Sequence, residues 1–275
     1  MVSRLIRTAL IDADILRYEV GYAATSGYQR QTESEGQPGF DWVDSLLTAR
    51  IANILVTTGC DEYVLYITRG RTFRYDIAVT KPYKGTRTNS KPYHYKNLTA
   101  VMEHNHPCVV VTDLEADDQL AIDHLKDVDN TIICSRDKDL RTIPGHIYSW
   151  EMGNQASFGP KEMTQLGELS LVRGDIVGGG YAFFCAQLIM GDTADNIQGV
   201  KGRGKVCVAG VLIPILEGDE DDKEAALFRA VELEYQKCYG EDWDTMLTEM
   251  ATLLWIVRRC NKDGTPQLWE NGLTG

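Results

Sequence analysis

Short apolar runs alternate along this chain with longer stretches whose apolar residues recur at helical spacing. Residues 7–11 form a β-like run that delivers Asp12 and Asp14, and residues 62–68, 107–112 and 131–135 read as three further strands. Between them, residues 40–58 place Val43, Leu46, Leu47, Ile51, Ile54 and Leu55 at the spacing of one helical face, and Gly59 supplies a stop. Residues 114–125 read as a helix that begins at an acidic cluster. Several of the strands are continuously apolar, which predicts a mostly parallel central sheet covered by helices on both faces, an α/β class. In such folds the chemistry lies at the carboxyl ends of the strands, where Asp12 and Asp137 fall.

Past Trp150 the texture changes. Glycine and polar residues run to Gly180, residues 181–190 form an apolar helix candidate, and the remainder to about Cys260 reads as helices joined by acidic loops. This pattern predicts two parts, 1–150 and 151–275, without repeats or low-complexity tracts.

Composition narrows the picture. No run approaches the roughly 18 apolar residues that mark a membrane span, and the first seven residues are no secretory signal, so a cytoplasmic protein is expected. Seven cysteines, none in a CxxC pair and several inside apolar stretches, suit reduced, buried thiols better than a disulfide frame or a zinc site. His94, His104 and His106 are expected at the surface. The net charge of −12 argues against nonspecific nucleic-acid binding, but its distribution matters more. Residues 81–101 contain no acid, and there Lys81, Lys84, Arg87, Lys91 and Lys96 are interleaved with Tyr83, Tyr93 and Tyr95, a combination suited to holding phosphates while bases stack. Asp219 to Asp222 reads as a solvated loop.

The acids gather in four clusters: Asp12 with Asp14, Glu115 with Asp117 and Asp118, Asp137 with Asp139, and Asp192 with Asp195. Grouped carboxylates repel and raise each other's pKa, so a fold that converges them usually does so around cations, and oxygen-only ligands suit Mg²⁺ or Mn²⁺. One acid suffices to cap a helix, yet three of the four residues 115–118 are acidic. At about 100° per residue, Glu115 and Asp118 share a face and Asp117 is offset. Downstream, Gly199, Lys201, Gly202, Arg203, Gly204 and Lys205 lie between two apolar helices as a helix–hairpin–helix pattern over 181–212. Its glycines would let backbone N–H groups approach a phosphate, and its cations would add charge there.

Taken in order, Leu10-Ile-Asp12, Tyr83-Lys84-Gly-Thr-Arg87, Glu115-Ala-Asp-Asp118, Ser135-Arg-Asp137-Lys-Asp139 and the segment from Gly191 to Gly204 resemble the flap endonuclease / 5′-nuclease family. That family includes bacteriophage 5′–3′ exonucleases and the 5′-nuclease domain of bacterial DNA polymerase I. The similarity spans roughly residues 8 to 210 and looks most like a phage-encoded member. It implies a PIN-like nuclease core with a basic arch over 81–106, followed by a helical DNA-binding part. Asp12, Glu115, Asp117 and Asp118 would surround one divalent ion, and Asp137, Asp139, Asp192 and Asp195 a second, both Mg²⁺ or Mn²⁺. Lys84 and Arg87 would act on the scissile phosphate, Tyr83 would lie near the displaced nucleotide, and the hairpin would grip the duplex, often with K⁺. The implied activity is hydrolysis of DNA at 5′ ends, nicks or flaps to 5′-phosphate products, with RNA:DNA hybrids as a further candidate substrate and a monomer as the working form.

Two departures stand out. The family commonly carries an Asp just after the second strand, where this chain has Thr68 and Arg69; losing such a partner would weaken one ion by about 10–100-fold. Arg203 also stands where an apolar residue is usual. The first departure supports one rival, a structure-specific DNA-binding protein with impaired catalysis. A second rival, a phosphatase of the haloacid dehalogenase type, rests on Asp12-Ala-Asp14 and Gly191-Asp-Thr-Ala-Asp195, but Leu16 stands where Thr or Val is usual there.

Overall fold

The computed structural model describes residues 7–33, 36–88 and 90–270, so the start of the chain read above as no secretory signal lies outside the described residues. In chain order the elements are β1 (Thr8–Asp12), α1 (Ala13–Thr32), α2 (Phe40–Thr58), β2 (Glu62–Thr72), α3 (Arg74–Ile77), α4 (Tyr95–Asn105), β3 (Cys108–Asp113), α5 (Ala116–Lys126) and β4 (Thr131–Cys134). There follow β5 (Gly145–Ser149), β6 (Phe158–Met163), β7 (Glu168–Val172), β8 (Asp175–Gly179), α6 (Gly180–Met190), α7 (Lys205–Glu217), α8 (Lys223–Tyr239) and α9 (Trp243–Leu254). They belong to two compact units. Met1–Gly70, Asn89–Asp137 and Gly145–Glu162 make up the first, and Arg71–Thr88, Lys138–Pro144 and Met163–Gly275 the second. The expected boundary at residue 150 falls inside the third segment of the first unit.

The first unit is built on a six-stranded sheet of order β3-β2-β1-β4-β5-β6 among the described residues. Strand β1 runs parallel to both neighbours, with Asp12 opposite Tyr66 of β2 and Ile11 opposite Cys134 of β4, and β4 runs parallel to β5. Ala9, Ile11, Leu65, Ile67, Ile132 and Cys134 are buried in one cluster with Leu16, Val43, Leu47, Ile54, Leu98 and Met102 from the covering helices. Helix α2 has the bounds its apolar spacing predicts, and Gly59 ends it in the left-handed conformation (φ 68°), its N–H bonded to the Leu55 carbonyl. Helix α1 is less obvious from sequence. Asp12 caps it by accepting from the Asp14 N–H at 3.1 Å, and its buried face is made of Leu16, Arg17, Val20, Gly21 and Ala24. Gly21 is required there, because a Cβ would lie 2.6 Å from Pro92 Cγ.

The latter part of the basic segment is helix α4, not an open loop, because Leu98 and Met102 recur four apart and are fully buried. His94, expected at the surface, is instead buried, with Nε2 2.7 Å from the Pro38 carbonyl oxygen. His106 is half-buried against the Tyr63 hydroxyl at 2.8 Å, and only His104 of the three is exposed. The cysteines are free, with Cys60, Cys134 and Cys185 buried and Cys260 exposed.

The second unit packs Phe183, Phe184, Leu188 and Ile189 of α6 with Leu212 of α7, Val231 of α8, Leu247 of α9 and Tyr83. Buried Arg74 donates from Nε to the Leu253 carbonyl at 3.1 Å and from Nη2 to the Trp255 carbonyl at 2.7 Å, filling acceptors at the end of α9. Strands β7 and β8 form an antiparallel hairpin where the sequence suggested only glycine-rich coil, turning through Arg173 (φ 52°) and Gly174 (φ 85°). The acidic run 219–222 is a loop whose last residue, Asp222, caps α8 through the Ala225 N–H at 3.0 Å. No described helix is long and apolar enough to cross a membrane.

Candidate active site

In the first unit the acids gather at the carboxyl ends of β1 and β4, as a parallel sheet requires. Asp12 ends β1 and is almost fully buried; its Oδ2 accepts from the Ser135 hydroxyl at 2.7 Å, while that hydroxyl's oxygen accepts from the Asp137 N–H at 2.8 Å. Burial, reinforced by the neighbouring carboxylates of Asp14 and Asp137, pushes the Asp12 carboxyl up to about 7 against the help of Ser135. Asp12 thus sits in a place that wants a positive charge.

Glu115 and Asp118, the two acids predicted to share a face, form a reciprocal capping box at the start of α5, with Asp118 Oδ2 accepting from the Glu115 N–H at 3.0 Å. Both are buried, and Asp117 is half-buried outside that exchange. Thr68, standing where an acid was expected, accepts from the Ala116 N–H through its hydroxyl at 2.8 Å, so it also serves the start of α5. Its own N–H lies 3.1 and 3.3 Å from the two carboxylate oxygens of Asp14. Asp14 in turn pairs with Arg17. Nothing in the spacing of the sequence identifies Asp14 as the acid held by Thr68 within β2, which runs on to Thr72.

The second unit handles its acids differently. The Lys138 ammonium bridges Asp139 Oδ1, at 2.8 Å, and Asp192 Oδ2. Burial alone would lower the Lys138 pKa, but the two carboxylates outweigh it and hold the ammonium charged well above its usual range. Asp139 also accepts from the Gln187 side chain at 2.6 Å, and buried Asp192 accepts from the Ala194 N–H at 2.7 Å. Asp195 is held by the Arg87 guanidinium and by the Tyr83 hydroxyl at 2.9 Å, with Lys84 Nζ at 4.0 Å. Backbone bonds complete this clasp, Lys84 N–H to the Asp195 carbonyl at 2.9 Å and Asn196 Nδ2 to the Pro82 carbonyl at 2.9 Å. Tyr83 is buried, its ring edge-on to Tyr75 at 5.3 Å.

Between α6 and α7 the chain turns through Gly191 and Gly199, whose backbones touch: a Cβ on Gly199 would lie 2.3 Å from the Gly191 nitrogen. Gly202 has φ 78° and open space around it, and Gly204 is the residue before α7. Lys201 is exposed, Arg203 pairs with Glu234 at 2.7 Å, and Lys205 pairs with Asp175. Gly199 therefore serves the packing of the turn, while Gly202 and Gly204 have open space around them.

Among the described residues no three Asp, Glu, His or Cys side chains are already grouped to hold a metal ion. The donor chemistry nevertheless fits a hard divalent cation. The acids are oxygen donors, burial and the neighbouring carboxylates raise the Asp12 carboxyl, and one ammonium bridges Asp139 and Asp192.

No protein-family model and no curated protein sequence matches the chain. Solved structures do. A bacteriophage T5 flap endonuclease in a pseudo-enzyme–product complex with DNA and metal ions aligns with TM-score 0.54 and 16% identity over 90% of this chain and 99% of that one. The T5 5′-exonuclease with bound zinc aligns with TM-score 0.51 and 16% identity over 90% and 100%. The catalytic core of Rad2 in complex with a DNA substrate aligns with TM-score 0.51 and 15% identity over 96% and 84%. The chain has the flap endonuclease / 5′–3′ exonuclease fold. Its six-stranded, mostly parallel sheet and helical carboxyl-terminal part match the PIN-like 5′-nuclease core and its companion.

Proposed function

We propose that the chain is a divalent-metal-dependent 5′-nuclease that hydrolyses DNA phosphodiesters at 5′ ends, nicks or flaps, leaving 5′-phosphate products. The observation that carries this reading is buried Asp12, its carboxyl pushed to about 7 at the end of a parallel strand beside Asp137, in a fold shared with nucleases solved with DNA and metal ions. Asp12, Glu115, Asp117, Asp118 and Asp137 in the first unit, and Asp139, Asp192 and Asp195 in the second, are the residues that would hold two Mg²⁺ or Mn²⁺ ions. Bound there, such ions would supply an activated water and neutralise charge on the phosphate.

The chain's own groups have distinct parts in this reading. Ser135 orients Asp12 by donating to it. Lys84 and Arg87, released from Asp195, would stabilise charge developing on the phosphoryl oxygens. Lys138, released from Asp139 and Asp192, would leave those carboxylates free to bind. Gly202 and Lys201, with the start of α7 behind them, would take a duplex phosphate, with K⁺ as a further candidate ligand of that hairpin. RNA:DNA hybrids as a second substrate, a monomeric working form and a phage origin belong to the same proposal. In this reading the terminal nucleotide unpairs to reach the acids, a cost that would favour ends and flaps over intact duplex.

The test is a cleavage ladder from 5′-labelled flap, nicked and blunt duplexes with Mg²⁺, Mn²⁺ and chelator. Asp137→Asn should abolish metal-dependent release of 5′ nucleotides while duplex binding persists; cleavage at the wild-type rate by that variant would falsify the assignment. A second reading, a structure-specific DNA-binding protein with impaired catalysis, is favoured by one observation. The Thr68 hydroxyl, where an acid was expected, is committed to the Ala116 N–H. Binding of a flap in Ca²⁺ with no cutting in either Mg²⁺ or Mn²⁺ would establish that reading.

A further inference from the structure

Within the first unit, the carboxyl end of β2 and the amino-terminal half of α4 enclose a pocket of about 380 Å³. Its cations come from Arg17 on α1, Arg69 on β2, Lys91 in the segment ahead of α4, and Lys96 in the first turn of α4. Glu103, the one carboxylate in its wall, is already bonded to Arg69. Arg17 and Lys91 are both held against the Tyr95 ring, at 4.8 and 4.6 Å from its centroid, so two like charges share one aromatic platform.

Arg17 carries the argument furthest. Its side chain is more than nine-tenths buried, with one nitrogen on Asp14 and another 3.3 Å from the Thr99 hydroxyl. Its Nε is buried without a hydrogen-bond partner. A guanidinium nitrogen left so in a pocket wall is a costly arrangement unless an acceptor arrives. Among the described residues Lys91 and Lys96 have no acidic partner, and both are exposed at the pocket. Tyr95, Lys96 and Thr99 belong to the first turns of α4, an 11-residue helix with no side-chain cap, so the positive end of its dipole adds to the field.

We propose that this pocket binds a terminal 5′-phosphate of a nucleic-acid strand, and so selects phosphorylated over hydroxyl 5′ ends. The proposal rests on the nuclease reading for its ligand, but its residues are distinct from the acids and from Lys84 and Arg87. A phosphomonoester carries up to two negative charges and three acceptor oxygens, against one charge on an internal phosphodiester. It is thus the better match for two ammonium groups without an acidic partner beside a guanidinium whose buried Nε lacks an acceptor. Asp14, bonded to both Arg17 and the Thr68 N–H, links this pocket to the strand ends that bear Asp12.

The test measures binding of the full chain, in Ca²⁺, to two duplexes that differ only in a 5′-phosphate or a 5′-hydroxyl. The wild type is expected to bind the phosphorylated end roughly tenfold more tightly. Lys91→Gln with Lys96→Gln, at exposed positions that leave the core intact, should bring the ratio of the two affinities to about one. Arg17→Gln should do the same where it folds. Equal binding of the two ends by the wild type overturns the inference and leaves the nuclease reading standing. A double variant that weakens both ends alike with the ratio intact also overturns it, since the pocket would then hold an internal phosphate. Failure of the wild type to bind any DNA end removes the nuclease reading and this inference with it.

Discussion

Asp12 at the end of β1 in the first unit and the Asp139/Asp192 pair in the second are acids of similar sequence setting held in different ways. In the first, Asp12 accepts from the Ser135 hydroxyl and the Asp14 N–H, and burial pushes its carboxyl up to about 7. In the second, Asp139, Asp192 and Asp195 are met by charged partners, Lys138 and Arg87. Neutral donors relieve a buried carboxylate only partly, whereas an ammonium or guanidinium neutralises it. Asp12 is therefore held by neutral donors, whereas Asp139 and Asp192 must give up an ammonium before they can accept another cation.

Asp12→Asn breaks this contrast most severely. Cleavage should fall by at least about a thousandfold. The metal-free protein should nonetheless become more stable at neutral pH, because a neutral amide has no charge to desolvate. The sign follows from linkage. Folding raises the Asp12 pKa from 3.8 to about 7, so its stability contribution is complete below pH 3.8 and is lost as pH rises through 7. The variant's advantage should accordingly grow across that window and level off above it, reaching on the order of 2–4 kcal/mol. Thermal melts in chelator from pH 4 to 8 would show this, and a pH-independent difference would contradict it.

Lys138→Ala tests the other side. It leaves Asp139 and Asp192 facing each other without their shared ammonium. The cost should be about 1–3 kcal/mol, less than for a fully buried pair because the Lys138 side chain is 43% exposed. Added Mg²⁺ or Mn²⁺ should restore more of the melting temperature in this variant than in the wild type. An equal metal response in both would mean that Lys138 does not occupy a cation's place. Thr68→Val is the mildest change. Loss of the bond to the Ala116 N–H should cost about 1 kcal/mol by denaturant titration. Thr68→Asp, measured by Mn²⁺ affinity, would show whether an acid at that position of β2 strengthens cation binding.

Much of the fold was legible where packing follows a simple period. Helix α2 and strands β1 to β4 could be placed because their apolar residues are large and regularly spaced. Helix α1 could not, because Arg17, Gly21 and Ala24 occupy its buried face and carry little apolar signal. Strands β5 and β8 were hidden by Gly145, Gly178 and Gly179 at their ends, β6 by Pro160 within it and β7 by its exposure. The acids were recognisable as types and positions. Their partners were not, since Lys138 meets Asp192 across 54 residues and Arg87 meets Asp195 across 108, distances at which local pattern says nothing. The capping use of Glu115 and Asp118 was the alternative kept open at those residues, and it is the one their backbone contacts display.

The interleaving of the two units has a consequence for synthesis. Tyr83, Lys84 and Arg87 leave the ribosome long before the residues that clasp them, and the Tyr83–Asp195 bond spans 112 residues. Until Asp195 is made, a basic, tyrosine-bearing segment lacks the clasp that Asp195 gives Tyr83, Lys84 and Arg87. The nascent chain must carry it exposed, and the second unit cannot close from its carboxyl-terminal helices alone. A chain severed near residue 150 would strand that segment on the wrong side of the cut, so the order of assembly is tied to the completion of the whole polypeptide.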